Sequence, residues 1–475
     1  MRKLRSLVFF IAFSLALAGW AKPVRMLVTG DMHGWLEAQR VGDQQLGGAA
    51  EMLSYWRRVE HFTPERFFLL SAGDTSTGPA LDTVFRNEPV IETMNLMNYD
   101  ACVLGNHEFD FGLDALKQWR KEAHFPFLAA NLFAPDGKPS DVPPFYLKEK
   151  SGVKVAVIGL TVENLAAIAN THGFTAHAYA ETLRQWVPRV KAQGAQVVIV
   201  LAHVPLADLI VLAKSVADLH IPLMLGGHSH ELGELKVGDT WIVNSGEWWR
   251  AYSRIDLDYD PPSGKTVVLA ARQVWLQQRA PMADAVVKKE IADWNGRLQS
   301  EFALPIGYTA TGLTRPSGVY NFITDCWFTA DPHADLVLSN NNGFRQDIPA
   351  GTITKATIHG VMPFENGLLR VKLTGEQLLA YLPQNGDFIG MSGLRRKAGQ
   401  YVLLKTGQPL IPTAHYAVLM NSYMYAMSPL LTAADPTPTQ VFGDWRQPVL
   451  AWLAEYQTSR KVPLEIFADQ KARVE

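Results

Sequence analysis

Cysteine is almost absent from this chain of 475 residues, which contains only Cys102 and Cys326. The two fall in different halves, and Cys102 lies inside an apolar run that reads as a buried strand. Two free, buried thiols are expected, so stability must come from packing rather than from a disulfide framework. An excess of charge of one sign is also missing. The 44 Lys and Arg nearly balance the 46 Asp and Glu, leaving a formal net charge of -2. No global field therefore draws the chain to nucleic acid or to anionic lipid. The short basic run Arg395-Arg396-Lys397 reads as a solvated turn. Long apolar runs are lacking beyond the first residues, so no later segment is suited to span a bilayer. No internal repeat and no low-complexity tract interrupts the chain, apart from a Pro/Thr-rich loop at 432–439.

The amino-terminal residues have a different character. Arg2, Lys3 and Arg5 form a basic start, 7–17 is apolar, and Gly19 and Ala21 place small residues at -3 and -1 of a cleavage point after Ala21. This is the pattern of a secretory signal peptide over 1–21. The mature protein is expected to be exported, periplasmic or extracellular. No Cys follows the cleavage point, so no lipid anchor and no stable membrane anchor is expected.

A hydrophobic content of 48% and a charged content of 19% fit a globular protein. The length calls for two domains. From 22 to 280, apolar strand-like runs alternate with helical patterns at 48–60, 112–123 and 180–193, which argues α/β. Runs at 241–245, 251–259 and 266–276 read as more exposed strands closing this unit. Pro281 opens a linker helix over 281–303, with Met282, Val286, Val287, Ile291, Trp294, Leu298 and Phe302 at helical spacing. A second α/β unit spans 304–475.

Within the first unit, five apolar runs each end in a small residue followed at once by a metal-ligand type of side chain. Residues 26–30 lead into Asp31 and His33, 67–73 into Asp74, and 102–105 into Asn106, His107 and Glu108. Residues 197–202 lead into His203, and 223–227 into His228 and His230. Such runs read as strands buried on both faces, and open α/β sheets bind ligands outside the carboxyl ends of their strands. Residues at i and i+2, such as Asp31/His33 and His228/His230, project to one side of an extended segment. Oxygen and imidazole donors without thiolate suit Zn, Mn, Fe or similar divalent ions. Seven candidate ligands exceed the needs of one tetrahedral ion. Two ions sharing a carboxylate use them well, and such a pair serves phosphoester hydrolysis.

These motifs resemble the metallophosphoesterase (calcineurin-like) superfamily. Asn340 to Arg345, the segment 348–351 and Met362-Pro363-Phe364-Glu365-Asn366 resemble the substrate domain of 5'-nucleotidases. The whole is similar to the secreted 5'-nucleotidase/UDP-sugar hydrolase family. The resemblance implies an N-terminal metallophosphoesterase β-sandwich flanked by helices and a 5'-nucleotidase C-terminal domain. It implies one metal on Asp31, His33 and His230, a second on Asn106, His203 and His228, and Asp74 bridging them. His230 departs from the Gln or Asn of many members. His107 matches the catalytic His and Asp110 its partner, although Asp110 also suits an N-cap for the helix after Gly112.

Asn340 and Arg345 match the phosphate-binding turn. Two expected glycines there are Asn341 and Asn342, which tolerate left-handed backbone. Phe388 and Tyr423 match the aromatic pair that stacks a nucleobase, but the Asp expected after Tyr423 to bind ribose is missing. The remaining eight His, His172, His177 and His415 among them, read as surface or packing residues.

The resulting expectation is a dimetal phosphomonoester hydrolase. It would convert a small-molecule substrate, a nucleoside 5'-monophosphate, to nucleoside and phosphate by in-line attack of an activated water. The rivals are a cyclic-nucleotide phosphodiesterase or UDP-sugar pyrophosphohydrolase, hydrolysis of a sulfur ester, and a non-catalytic ligand-binding protein.

Overall fold

The five apolar runs are strands at the centre of two facing sheets. The computed structural model describes residues 21–277, 282–340, 342–384, 389–397 and 399–473. Residues 1–20 of the expected signal peptide, Pro281, Asn341 and Phe388 lie outside the described residues.

One six-stranded sheet runs in the order Lys265–Trp275, Ala251–Asp260, Lys22–Thr29, Phe67–Ser71, Ala101–Val103, Phe127–Leu128. The other runs Leu232–Val237, Thr240–Ser245, Leu223–Gly226, Val197–Ala202, Val153–Leu160, Phe145–Lys150. The inner strands of both sheets are parallel neighbours. Side chains alternate between two environments, as a period of two demands. Met26, Val28, Phe68 and Leu70 face Val155, Val157, Ile199 and Leu201 in the inter-sheet core. Leu27, Leu69 and Cys102 point outward under one helical layer, and Ile158, Val198 and Val200 under another. Both faces of the central strands are covered, which is why the apolar runs carry no polar alternation.

The strands Thr240–Ser245 and Ala251–Asp260 are largely buried rather than exposed, because each has paired strands on both sides. Cys102 and Cys326 are free and buried.

The helix near residue 281 begins later than its Pro suggests. It spans Ala285–Phe302, and the Asp284 carboxylate caps it by accepting from the Val286 and Val287 N–H groups at 3.1 and 3.2 Å. Met282 and Val286 are exposed. Val287, Ile291 and Trp294 join the core of the first unit.

The second unit has a five-stranded sheet in the order Gly390–Ser392, Leu336–Ser339, His415–Asn421, Leu368–Thr374, Thr439–Phe442. Helices Ser317–Ala330 and Gln447–Tyr456 pack on one face through Ile323, Trp327 and Val449. Helix Gly375–Gln384 packs on the other through Leu378 and Leu382. The two units touch around a cleft. Arg86 and Glu365 pair at 2.6 Å, and the Tyr423 hydroxyl donates to the Ile168 carbonyl at 3.1 Å. Among the described residues no helix is long and apolar enough to cross a membrane.

Candidate active site

Three of the five strand ends turn sharply, and the turns leave five ligand-type residues in left-handed backbone. Their φ angles are 48° at Asp31, 44° at His33, 50° at Asp74, 72° at His228 and 59° at His230. Left-handed backbone costs an ordinary L-residue roughly 1–2 kcal/mol, so this clustering marks a site where position outweighs local stability. Backbone bonds lock the turns together. The Asp31 N–H donates to the Gly73 carbonyl at 3.1 Å and the His33 N–H to that of Asp74 at 3.0 Å. Gly105 allows closest approach, since a Cβ there would strike the Asp74 carboxylate.

Ligand atoms of Asp31, His33 and His230 lie within 4.8 Å of one another, as do those of Asp74, His203 and His228. Asp74 Oδ2 stands 3.1 Å from His203 Nε2 and 3.8 Å from His33 Nε2, so one carboxylate reaches both groups. Asn106 Oδ1 is 3.2 Å from His203 Nε2. Asp31, His33, Asp74 and His203 are at most 2% exposed.

The ring orientations show what the cluster is built to hold. His33 Nδ1 donates to the Ser76 carbonyl at 2.9 Å, and His203 Nδ1 to the Ala72 carbonyl at 2.8 Å. A carbonyl can only accept, so each neutral ring presents a lone pair at Nε2. His230 Nδ1 bonds the Glu247 carboxylate, leaving its Nε2 facing His33 Nε2 at 3.1 Å. In their neutral forms the rings thus turn lone pairs toward one another and toward Asp74, an arrangement that calls for protons or metal cations to fill it, and the donor set fits divalent ions.

Charge shows the same demand. Burial pushes the His203 imidazole down, but the Asp74 carboxylate outweighs it and lifts the group to about 9. Burial lifts the Asp31 carboxyl to about 7. Burial and the neighbouring His203 hold His228 down at about 4.

His107 and Asp110 stand on the rim. His107 Nδ1 meets Asp110 Oδ2 at 2.6 Å, and the Thr77 hydroxyl donates to the same oxygen at 2.6 Å. Asp110 makes no helix cap, since the N-cap position is Phe111 and has no side-chain cap. Burial pushes the His107 imidazole down, but Asp110 and Asp74 outweigh it, so the net displacement is upward.

A cleft of about 940 Å³ joins this rim to the second unit. Asn106, His107, Asp110 and His228 line one side, and Asn340, Arg345, Phe364 and Tyr423 the other. Asn342 takes φ 62°, the left-handed turn expected of it. Arg345 faces the carboxylates of Asp110 and Asp74, and burial lowers its pKa. Among the described residues its guanidinium has no hydrogen-bond partner. Asn340 Oδ1 accepts from Asn421 Nδ2 at 2.7 Å. His172 is exposed, as expected from sequence, and lines the cleft. His177 does pack, stacked on Phe133 at 3.6 Å.

Sequence reasoning named Glu108 without giving it a role and missed Asp82 and Glu247. Glu108 accepts from the N–H groups of Gly105, Thr75 and Asp74 at 2.6, 2.7 and 3.1 Å. Asp82 accepts from the Thr77 and Gly78 N–H groups, and burial lifts its carboxyl to about 7. Glu247 follows the strand Thr240–Ser245 in the same strand, small residue, ligand-type pattern as the other five, and this was the available signal.

Comparison with known proteins agrees with this geometry. The family model for calcineurin-like phosphoesterase matches residues 24–232, and that for the 5'-nucleotidase C-terminal domain matches 303–428. The chain carries a calcineurin-like phosphoesterase domain followed by a 5'-nucleotidase C-terminal domain. It is a two-domain α/β hydrolase, and the non-catalytic reading gives way.

Among curated relatives, protein UshA of Yersinia enterocolitica is 26% identical over 444 residues, covering 78% of this chain and 79% of the relative. A 5'-nucleotidase of Vibrio cholerae is 25% identical over 411 residues, covering 75% and 74%. The crystal structure of a 5'-nucleotidase precursor from Thermus thermophilus shares the fold. Its TM-score is 0.80 at 23% identity, covering 95% of this chain and 99% of that one.

Proposed function

We propose that this hydrolase is an exported dimetal phosphomonoesterase whose leading substrate is a nucleoside 5'-monophosphate. The observation that carries the reading is the convergence of acceptor atoms beside His107, with Arg345 facing them across the cleft. Asp31, His33 and His230 would hold one divalent ion and Asn106, His203 and His228 the other, with Asp74 shared. Two such ions supply Lewis acidity and lower the pKa of a water.

The chain's own groups do the rest. His107, whose imidazole pKa its carboxylate neighbours Asp110 and Asp74 raise against burial, stabilises charge on the phosphate or assists the leaving oxygen. Asp110 sets its ring orientation. The planar Arg345 guanidinium suits two phosphate oxygens. Tyr423 offers the leaving group an aromatic wall, and Phe388 is the proposed second ring.

The test is phosphate release from a panel of nucleotides, cyclic nucleotides and UDP-sugars by metal-stripped protein with Mn or Zn restored. Monophosphates should lead, and full activity in demetallated protein would defeat the reading. A UDP-sugar or cyclic nucleotide that outperforms every monophosphate would favour the pyrophosphohydrolase or diesterase instead.

The described cleft carboxylates are Asp110, held by His107, and Glu365, paired with Arg86. A site that bonds a substrate hydroxyl penalises its loss, and no such ribose carboxylate is present among these. We therefore expect similar kcat/KM for ribo- and deoxyribonucleotides. A strong preference for the ribonucleotide would show that another residue makes the contact.

A further inference from the structure

Glu247 sits behind His230, on the side of the ring away from the metal-ligand cluster. Its Oε2 is bonded to His230 Nδ1. A carboxylate accepts, so in the neutral ring the proton is on Nδ1 and the lone pair on Nε2, the nitrogen that faces His33.

Glu247 is itself fixed. Its Oε1 lies 3.5 Å from Arg250 Nη1. The Arg250 guanidinium lies 4.3 Å from the Trp248 ring centroid and donates to Gln39 Oε1. The next residue, Trp248, donates its N–H to the Asp31 carbonyl at 2.9 Å. Trp248 and Trp249 both have φ 57°, left-handed backbone in two bulky residues that the surrounding contacts hold. The segment 246–250 thus binds Asp31 and His230, two members of one ligand group, from outside the cluster.

We propose that Glu247 is a positioning residue that presets the tautomer and ring orientation of His230, and so sets the affinity of one of the two metal sites. The inference rests on the dimetal reading above. Outer carboxylates that orient a ligating imidazole are typically worth about 10–100-fold in metal affinity.

The experiment is calorimetric titration of the metal-stripped full chain with Mn²⁺ alone. Wild type should take up two ions. Glu247→Ala should weaken one site about 10–100-fold and leave the other unchanged. Glu247→Gln keeps an acceptor oxygen and should lose less. Thermal unfolding of the metal-free variants checks that the fold survives. In a His230→Gln background, Glu247→Ala should then change Mn²⁺ affinity less than about twofold, since no ring remains to orient. Two-site binding in Glu247→Ala that matches wild type overturns the inference alone. So does a loss that persists undiminished in the His230→Gln background, which would assign the effect to Arg250 or the segment itself. A wild-type protein that takes up no Mn²⁺ overturns the dimetal reading together with it.

Discussion

His107 illustrates how one side chain gains a task from its neighbours. Burial pushes its imidazole pKa down, and Asp110 at 2.6 Å with nearby Asp74 outweighs that, so the net displacement is upward. Removing the ring should leave the two ligand groups in place. We expect His107→Ala to lower kcat by about 10²–10⁴-fold, the usual worth of such a group, with metal content unchanged. Metal analysis run beside the kinetics decides it, because metal lost in step with activity would make His107 a ligand. Its position near His33 and Asp74 makes that outcome chemically conceivable.

At the scale of the element, two carboxylates tie loops that no regular structure supports. Glu108 gathers three backbone N–H groups and the Thr75 hydroxyl from the turns that carry Asp74 and Asn106. Glu108→Gln offers one acceptor and turns a donor on the rest, leaving a buried N–H unmet at roughly 1–3 kcal/mol. The urea midpoint and the bound metal should both fall, and a variant unchanged in both would refute the role.

Glu465 holds the 309–312 loop of the second unit by accepting from Thr309, Ala310 and Thr311. Partial burial pushes its carboxyl up, but the Thr311 N–H and the Thr309 hydroxyl outweigh that and hold it at about 2. A folded pKa below the ordinary value of about 4.3 means stability present above that value and lost as pH falls from there toward about 2. Glu465→Gln should therefore unfold at lower urea than wild type at pH 7. The gap should shrink as pH falls from about 4.3 toward about 2, where the native side chain is half protonated. A gap of equal size at both pH values would assign the loss to shape rather than charge.

For the whole molecule, the question is what each unit contributes. The ligand groups, His107 and Asp110 all belong to the first unit, and helix Ala285–Phe302 completes its core through Val287, Ile291 and Trp294. Arg345, Phe364 and Tyr423 belong to the second. A fragment ending at Leu304 should fold and bind Mn²⁺ yet lose nucleotide hydrolysis. Circular dichroism and metal titration establish the first part. Turnover equal to the full chain would show that the second unit is dispensable.

The local sequence carried most of the features that depend on period and neighbours. Apolar runs covered on both faces located the central strands, and Asp, Asn and His just beyond them marked the cluster. Asp284 rather than Pro281 starts the connecting helix, because a carboxylate that accepts two N–H groups outweighs a residue that merely fits the first turn. What the sequence could not carry are contacts between distant residues. His33 meets His230 across 197 positions, and Arg86 meets Glu365 across 279. Which ring nitrogen bears a lone pair depends on carbonyls at Ser76 and Ala72 and on the carboxylate of Glu247. Whether Arg345 can meet a phosphate depends on how two units pack around a cleft. Residue order near either partner does not encode such contacts. They arise when the sheets and the units close on one another and each buried polar group must find a partner.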